Sequence, residues 1–140
     1  MILYLDTSAL VKRYFQEPFT EKVLSKWQEA EAIVTSSVTY AETLAAIYRK
    51  KREASLDTAI TQGLVKAFHK DWESMIRVDV CDELNPNIHS VLQHHALRGF
   101  DAVHLASALV IQEQVPGTIF FACFDQQLNQ AAQENGFASF

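Results

Sequence analysis

The chain has 140 residues, 49% of them hydrophobic, with 12 Lys and Arg against 17 Asp and Glu and a formal net charge of −5. Length and composition fit one globular domain over residues 1–140 and exclude a disordered tail, and no apolar run nears the roughly 20 residues of a membrane span. The acidic balance excludes a broad basic surface for nucleic acid, although carboxylates gathered around metal ions would count against the chain only on paper.

The opening MILYLD has neither the basic lead nor the small-residue cleavage site of a signal peptide. Ile2 to Leu5 reads as a buried strand, and Asp6-Thr7-Ser8 reads as the cap of a helix over about Ala9 to Phe15. Pro18 opens a second helix that runs to about Ala30. Ala32 to Thr35 is a second strand, and Ser36 or Ser37 caps a third helix. Val38, Ala41, Leu44, Ala45 and Tyr48 give that helix an apolar face, and it ends in the basic run Arg49-Lys50-Lys51-Arg52. A fourth helix spans about Ser55 to Trp72. Ile76 to Val80 alternates like a strand, and a helix over about Asn85 to Ala96 follows.

Gly99 breaks the chain before a strongly apolar helix that opens at Asp101. Thr118 to Cys123 is the most apolar strand. Asp125 starts a helix to about Glu134, and Phe137 to Phe140 reads as a last short strand. Cys81 and Cys123, both in apolar-flanked segments, predict two buried free thiols, a reducing compartment and a cytoplasmic location.

Short apolar strands alternating with helices predict a three-layer α/β/α sandwich around a mainly parallel sheet. The functional crevice of such a sheet lies beyond the carboxyl ends of its strands, which is where Asp6 and Asp125 fall. Glu42 and Asp101 join them as acids in apolar settings, where an uncompensated charge is costly. Asp6, Asp101 and Asp125 also fit simple helix caps, whereas Glu42, read as mid-helix, does not. One explanation covers all four: a bound Mg²⁺ or Mn²⁺, which prefers oxygen ligands. Lys12 and Arg13, close after Asp6, are candidate phosphate contacts. His104 reads as a core histidine. No zinc pattern, serine-nucleophile motif or phosphate-binding glycine loop is present.

Four segments in order resemble the PIN domain family. They are Leu5-Asp6-Thr7-Ser8-Ala9-Leu10, Tyr40-Ala41-Glu42-Thr43-Leu44, Phe100-Asp101-Ala102-Val103-His104-Leu105-Ala106-Ser107 and Phe124-Asp125-Gln126-Gln127-Leu128-Asn129. Order, spacing and length are similar to its stand-alone bacterial form, the VapC-type toxin ribonuclease. The resemblance implies a PIN-like fold and Mg²⁺- or Mn²⁺-dependent endoribonuclease activity on tRNA or ribosomal RNA, as the toxin of a type II toxin–antitoxin pair. It also implies a homodimer inhibited by a cognate antitoxin. By position, Asp6, Glu42, Asp101 and Asp125 would be the metal-binding catalytic acids, supported by Thr7 or Ser8. Cys123 departs from the Ser or Thr common at its position, and a thiol is a poor partner for a hard cation. That departure keeps a second reading in view, a PIN-fold module that binds RNA or protein without turnover. A third reading, an aspartate-based phosphotransfer domain, lacks a second acid at Ser8.

Overall fold

Four segments pair as strands, each short and rich in β-branched, aromatic or aliphatic residues. They are β1 (Ile2–Leu5), β2 (Ala32–Ser36), β3 (Ile76–Val78) and β4 (Ile119–Ala122). In the computed structural model, which describes residues 1–140, all neighbouring strands are parallel in the order β3-β2-β1-β4. Parallel pairing requires crossovers, and seven helices supply them. They are α1 (Thr7–Leu10), α2 (Thr20–Glu29), α3 (Thr39–Glu53), α4 (Thr58–Ser74), α5 (Asn85–His94), α6 (Gly99–Gln114) and α7 (Gln126–Glu134). None is long and apolar enough to cross a membrane.

Successive strand residues point to opposite faces, so one sheet builds two cores. Tyr4, Val34 and Phe121 pack with Val91, Leu105 and Leu128 on the α5–α7 side. Leu3, Leu5 and Ala122 pack with Leu10, Val23, Ile47 and Phe68 on the α1–α4 side. This is the expected three-layer sandwich. Both faces of β1 are covered, and Leu3, Tyr4 and Leu5 are fully buried. Burial of that kind explains why the strand reads as a continuous apolar run rather than an alternating one.

Several local expectations need correction. The first helix stops at Leu10 and tightens into a 3-10 turn over Val11–Arg13. Phe19 takes a left-handed conformation, φ 73°, so the second helix begins at Thr20 rather than at Pro18. The third helix buries Thr39, Thr43 and Ile47 instead of the face drawn through Ala41, Ala45 and Tyr48. Thr39 can be buried because its hydroxyl finds a partner on the neighbouring strand: Thr39 Oγ1 lies 2.8 Å from Thr35 Oγ1, which spends its own proton on the Leu5 carbonyl at 2.7 Å and so accepts from Thr39. Thr43 Oγ1 is buried without a hydrogen-bond partner. The final strand shrinks to one bridge between Phe120 and Ala138. Cys123 is a buried free thiol as expected, but Cys81 is exposed, because β3 ends at Val78 and leaves it in the following turn.

Candidate active site

The chain runs outward from β1 through β2 to β3, then returns to place β4 on the other side of β1. Strand order therefore reverses at β1, and a crevice opens beyond the carboxyl ends of the central strands. Asp6 follows β1 directly and Asp125 lies three residues past β4. Glu42 sits in the first turn of α3, not mid-helix, and Asp101 in the first turn of α6, not at its cap. Together with Thr7, Ser8 and His104, these four acids line one cavity of about 760 Å³. Residues up to 119 positions apart in the chain thus share a single wall.

Asp6 is the deepest of the acids, 5% exposed. Its Oδ1 accepts from Ser8 Oγ at 2.7 Å and from the Ala9 amide at 2.9 Å, so it also caps α1. Burial pushes its carboxyl up to about 6. His104 and the Ser8 and Ala9 bonds pull the other way, and Asp101 adds repulsion. Asp125 likewise caps its helix, accepting from the Leu128 amide at 2.9 Å. Capping and lining the cavity therefore coexist in these two residues. Asp101 caps nothing. Partial burial, then the charge of Asp125, raises its carboxyl above the usual range, against the opposing pull of His104 and Arg98.

Glu42 is held differently. Thr7 Oγ1 at 2.6 Å and His104 Nε2 at 3.1 Å both bond its Oε1. Partial burial raises this carboxyl, but the two bonds and the nearby imidazole outweigh it, so the net shift is downward. An ionised carboxylate only accepts, which places a ring proton of His104 on Nε2. The other ring nitrogen, Nδ1, pairs with the Tyr4 hydroxyl at 3.0 Å. Burial keeps that phenol protonated by pushing it well above its ordinary value. The result is a relay of fixed geometry, Tyr4 to His104 to Glu42. It saturates Oε1 and leaves Oε2 without a protein donor. His104 is thus a buried histidine, 2% exposed, and also part of the cavity wall. The signal for it was its place three residues after Asp101, one turn along α6. No sequence pattern flagged Tyr4.

Lys12 and Arg13, expected near the crevice, are not on the cavity wall. Lys12 is buried, 3.6 Å from Glu17 and 4.7 Å from the ring centre of Phe124. The Arg13 guanidinium forks onto Asp71, with bonds of 2.6 and 3.1 Å, and stacks on Trp27. The single guanidinium on the wall is that of Arg98, and Phe100 stands beside it. Cys123 does not line the cavity either. Its Sγ lies 3.7 Å from the Asp125 carbonyl and 3.9 Å from Asn129 Oδ1, and burial pushes its thiol pKa up, which keeps it uncharged.

Comparison with known proteins identifies the family and the fold. The profile of the PIN domain family matches residues 3–133. The chain belongs to the PIN domain family. It is 32% identical over 139 residues to Ribonuclease VapC45 of Mycobacterium tuberculosis strain CDC 1551 / Oshkosh, covering 96% of this chain and 92% of that protein. Ribonuclease VapC49 of strain H37Rv matches to the same extent. The crystal structure of M. tuberculosis VapC20, a sarcin-ricin loop cleaving toxin, shares the fold with a TM-score of 0.65 at 16% identity, covering 97% of this chain and 96% of that one. So does VapBC2 from Rickettsia felis, bound to a DNA fragment from its promoter, with a TM-score of 0.65 at 12% identity and coverage of 100% and 98%. PIN membership sets aside the phosphotransfer reading.

Proposed function

We propose that this PIN-domain chain is a divalent-metal-dependent endoribonuclease, the toxin of a toxin–antitoxin pair. The observation that carries the reading is the meeting of Asp6, Glu42, Asp101 and Asp125, from four distant parts of the chain, on one cavity wall. Identity to two VapC ribonucleases over nearly the full length supports it.

The donor set suits a hard cation, Mg²⁺ or Mn²⁺. All four side chains offer oxygen, and the nearby thiol of Cys123 faces away. No three of the chain's acidic, His or Cys side chains stand close enough to enclose a bare ion. That spacing suits an ion that keeps several of its waters, as Mg²⁺ does. Asp6 and Asp101 would hold it most directly, with Glu42 and Asp125 acting directly or through water. When bound, such a cation supplies Lewis-acid charge stabilisation and a more acidic water.

The chain's own residues set the rest of the chemistry. Ser8 and the Ala9 amide fix the Asp6 carboxylate. His104 and Thr7 fix Glu42 through Oε1 and leave Oε2 without a protein donor. Positive charge placed between the acids offsets their mutual repulsion, so the arrangement is complementary to a metal carrying an RNA phosphate rather than to RNA alone. Hydrolysis through an activated water would leave 5′-phosphate and 3′-hydroxyl ends. A cytoplasmic site of action on tRNA or ribosomal RNA, a homodimer and a cognate antitoxin complete the proposal.

The test is cleavage of structured RNA by purified protein with Mg²⁺ or Mn²⁺, alongside Asp6→Asn and Asp101→Asn. Metal-dependent cleavage by the wild type and its loss in both variants is expected. RNA binding without cleavage would favour the non-catalytic reading instead, and equal cleavage by all three proteins would expose a contaminating nuclease and remove support for the proposal.

A further inference from the structure

The acid-lined cavity has a rim of different chemistry from its floor. Phe100 is 62% exposed, the most exposed of the chain's large hydrophobic side chains, yet it lines the same cavity as Asp6, which is 5% exposed. It immediately precedes Asp101, in the first turn of α6. Two residues before it, Arg98 also lines the cavity and is exposed. Arg98 takes part in none of the chain's ion pairs, and its charge is felt by Asp101. On the rim of a cavity lined by carboxylates, the ring leaves its apolar face in water and the hydrated guanidinium keeps all its donors free for a ligand. One ligand that carries a flat apolar face and a phosphate would engage both.

We propose that Phe100 and Arg98 form the clamp that seats the nucleotide flanking the scissile phosphate, the ring stacking on an unpaired base and the guanidinium pairing with the neighbouring phosphate. The inference rests on the ribonuclease reading of this cavity and names the residues that grip its substrate. A stacked base must leave the helix stack, so the clamp selects single-stranded segments over duplex. Arg98 is the only Lys or Arg side chain on the cavity wall, so it adds positive charge to that of the metal, and its planar fork suits phosphate geometry.

The experiment uses single-stranded RNA labelled with 2-aminopurine, whose fluorescence falls on stacking, and with 3′-methylenephosphonate linkages, in which a P–C bond replaces the P–O3′ bond that hydrolysis would break. Binding is read by anisotropy in Mg²⁺. For the wild type, fluorescence quenching at one nucleotide position and weaker binding of the matching duplex are expected. Phe100→Ala should lose the quenching and weaken binding on the order of 10-fold, while Phe100→Trp restores both. Arg98→Ala should weaken binding and lower the slope of log affinity against log salt by about 1. Phe100 is mostly in solvent, so an unchanged melting temperature shows that the variants are folded.

The clamp is overturned if Phe100→Ala binds and quenches like the wild type. It is also overturned if that substitution instead dissociates a dimer by light scattering, which would make the ring an interface with a second copy. In either case, metal-dependent cleavage that still requires Asp6 leaves the ribonuclease reading standing. If the wild type neither binds nor cleaves RNA, both fall together.

Discussion

Asp6→Asn should stabilise the metal-free protein while abolishing its response to metal. Asp6 is almost wholly buried, and its carboxyl is raised from 3.8 to about 6. A shift of about 2 units corresponds to ~3 kcal/mol of strain in the ionised folded form at neutral pH. The asparagine Oδ1 can still accept from Ser8 and Ala9, and Asn caps helices as well as Asp does, so only the charge is removed. Allowing for relaxation around the ion, a gain of about 1–3 kcal/mol is expected, or roughly 4–10 °C in Tm for a domain of this size.

The sign follows from linkage. The folded-state pKa of an acid lies above the unfolded one, so the penalty is full above pH 6 and fades as pH falls toward 3.8. The assay is thermal unfolding in EDTA at pH 7.5 and 4.5 for both proteins. The difference in Tm should be large at pH 7.5 and shrink to about a third at pH 4.5. Added Mn²⁺ should raise the Tm of the wild type alone, because a ligand that binds only the folded state stabilises it by mass action. A loss of stability in Asp6→Asn at pH 7.5, or a gain equal at both pH values, would refute the reasoning.

The other site residues separate structural from chemical roles. Asp125→Ala should cost about 1 kcal/mol through the lost cap of α7, whereas Asp125→Asn keeps the cap; both should lose Mn²⁺-induced stabilisation, as melting curves with and without metal would show. His104→Leu strips one donor from Glu42 and leaves the Tyr4 hydroxyl short of a partner, a cost of about 1–3 kcal/mol in urea unfolding. His104→Gln retains an N–H for Glu42 and should recover the metal response that the leucine variant loses. Thr35→Val removes the hydroxyl that ties the end of β1 to the start of α3, so urea unfolding should show a loss of about 1–2 kcal/mol and calorimetry a weaker Mn²⁺ affinity. Unaltered metal binding in Thr35→Val would show that Asp6 and Glu42 do not depend on that tie for their spacing.

The sheet and its acids were legible because their signals are local. Ile2 to Leu5 and Ile119 to Ala122 are apolar runs too short for helices, and an acid follows each within three residues. Parallel connectivity then sends both acids to the same edge. The interior of α3 was misread because Thr39 and Thr43 look like surface residues until Thr35 supplies a buried partner for the first. Glu42 reads as mid-helix from sequence because Ser36 or Ser37 looks like the cap of α3, whereas the helix starts later, at Thr39, with no side-chain cap, which leaves Glu42 in its first turn. Lys12 and Arg13 were placed near the crevice by chain proximity to Asp6. The tight turn after Leu10 carries them elsewhere; Glu17, five residues from Lys12, falls outside helical i+3 or i+4 spacing, and Asp71 lies 58 residues from Arg13. The pairing of His104 with Tyr4 spans 100 residues and belongs to tertiary structure alone.

Titration of bound Mn²⁺ by electron paramagnetic resonance, in the wild type and in Asp6→Asn, Glu42→Gln, Asp101→Asn and Asp125→Asn, tests the shared cavity most directly. One common site predicts that every substitution weakens the same saturable binding seen in the wild type. Binding that is absent from the wild type, or that survives unchanged in Asp6→Asn and Asp101→Asn, would contradict the account.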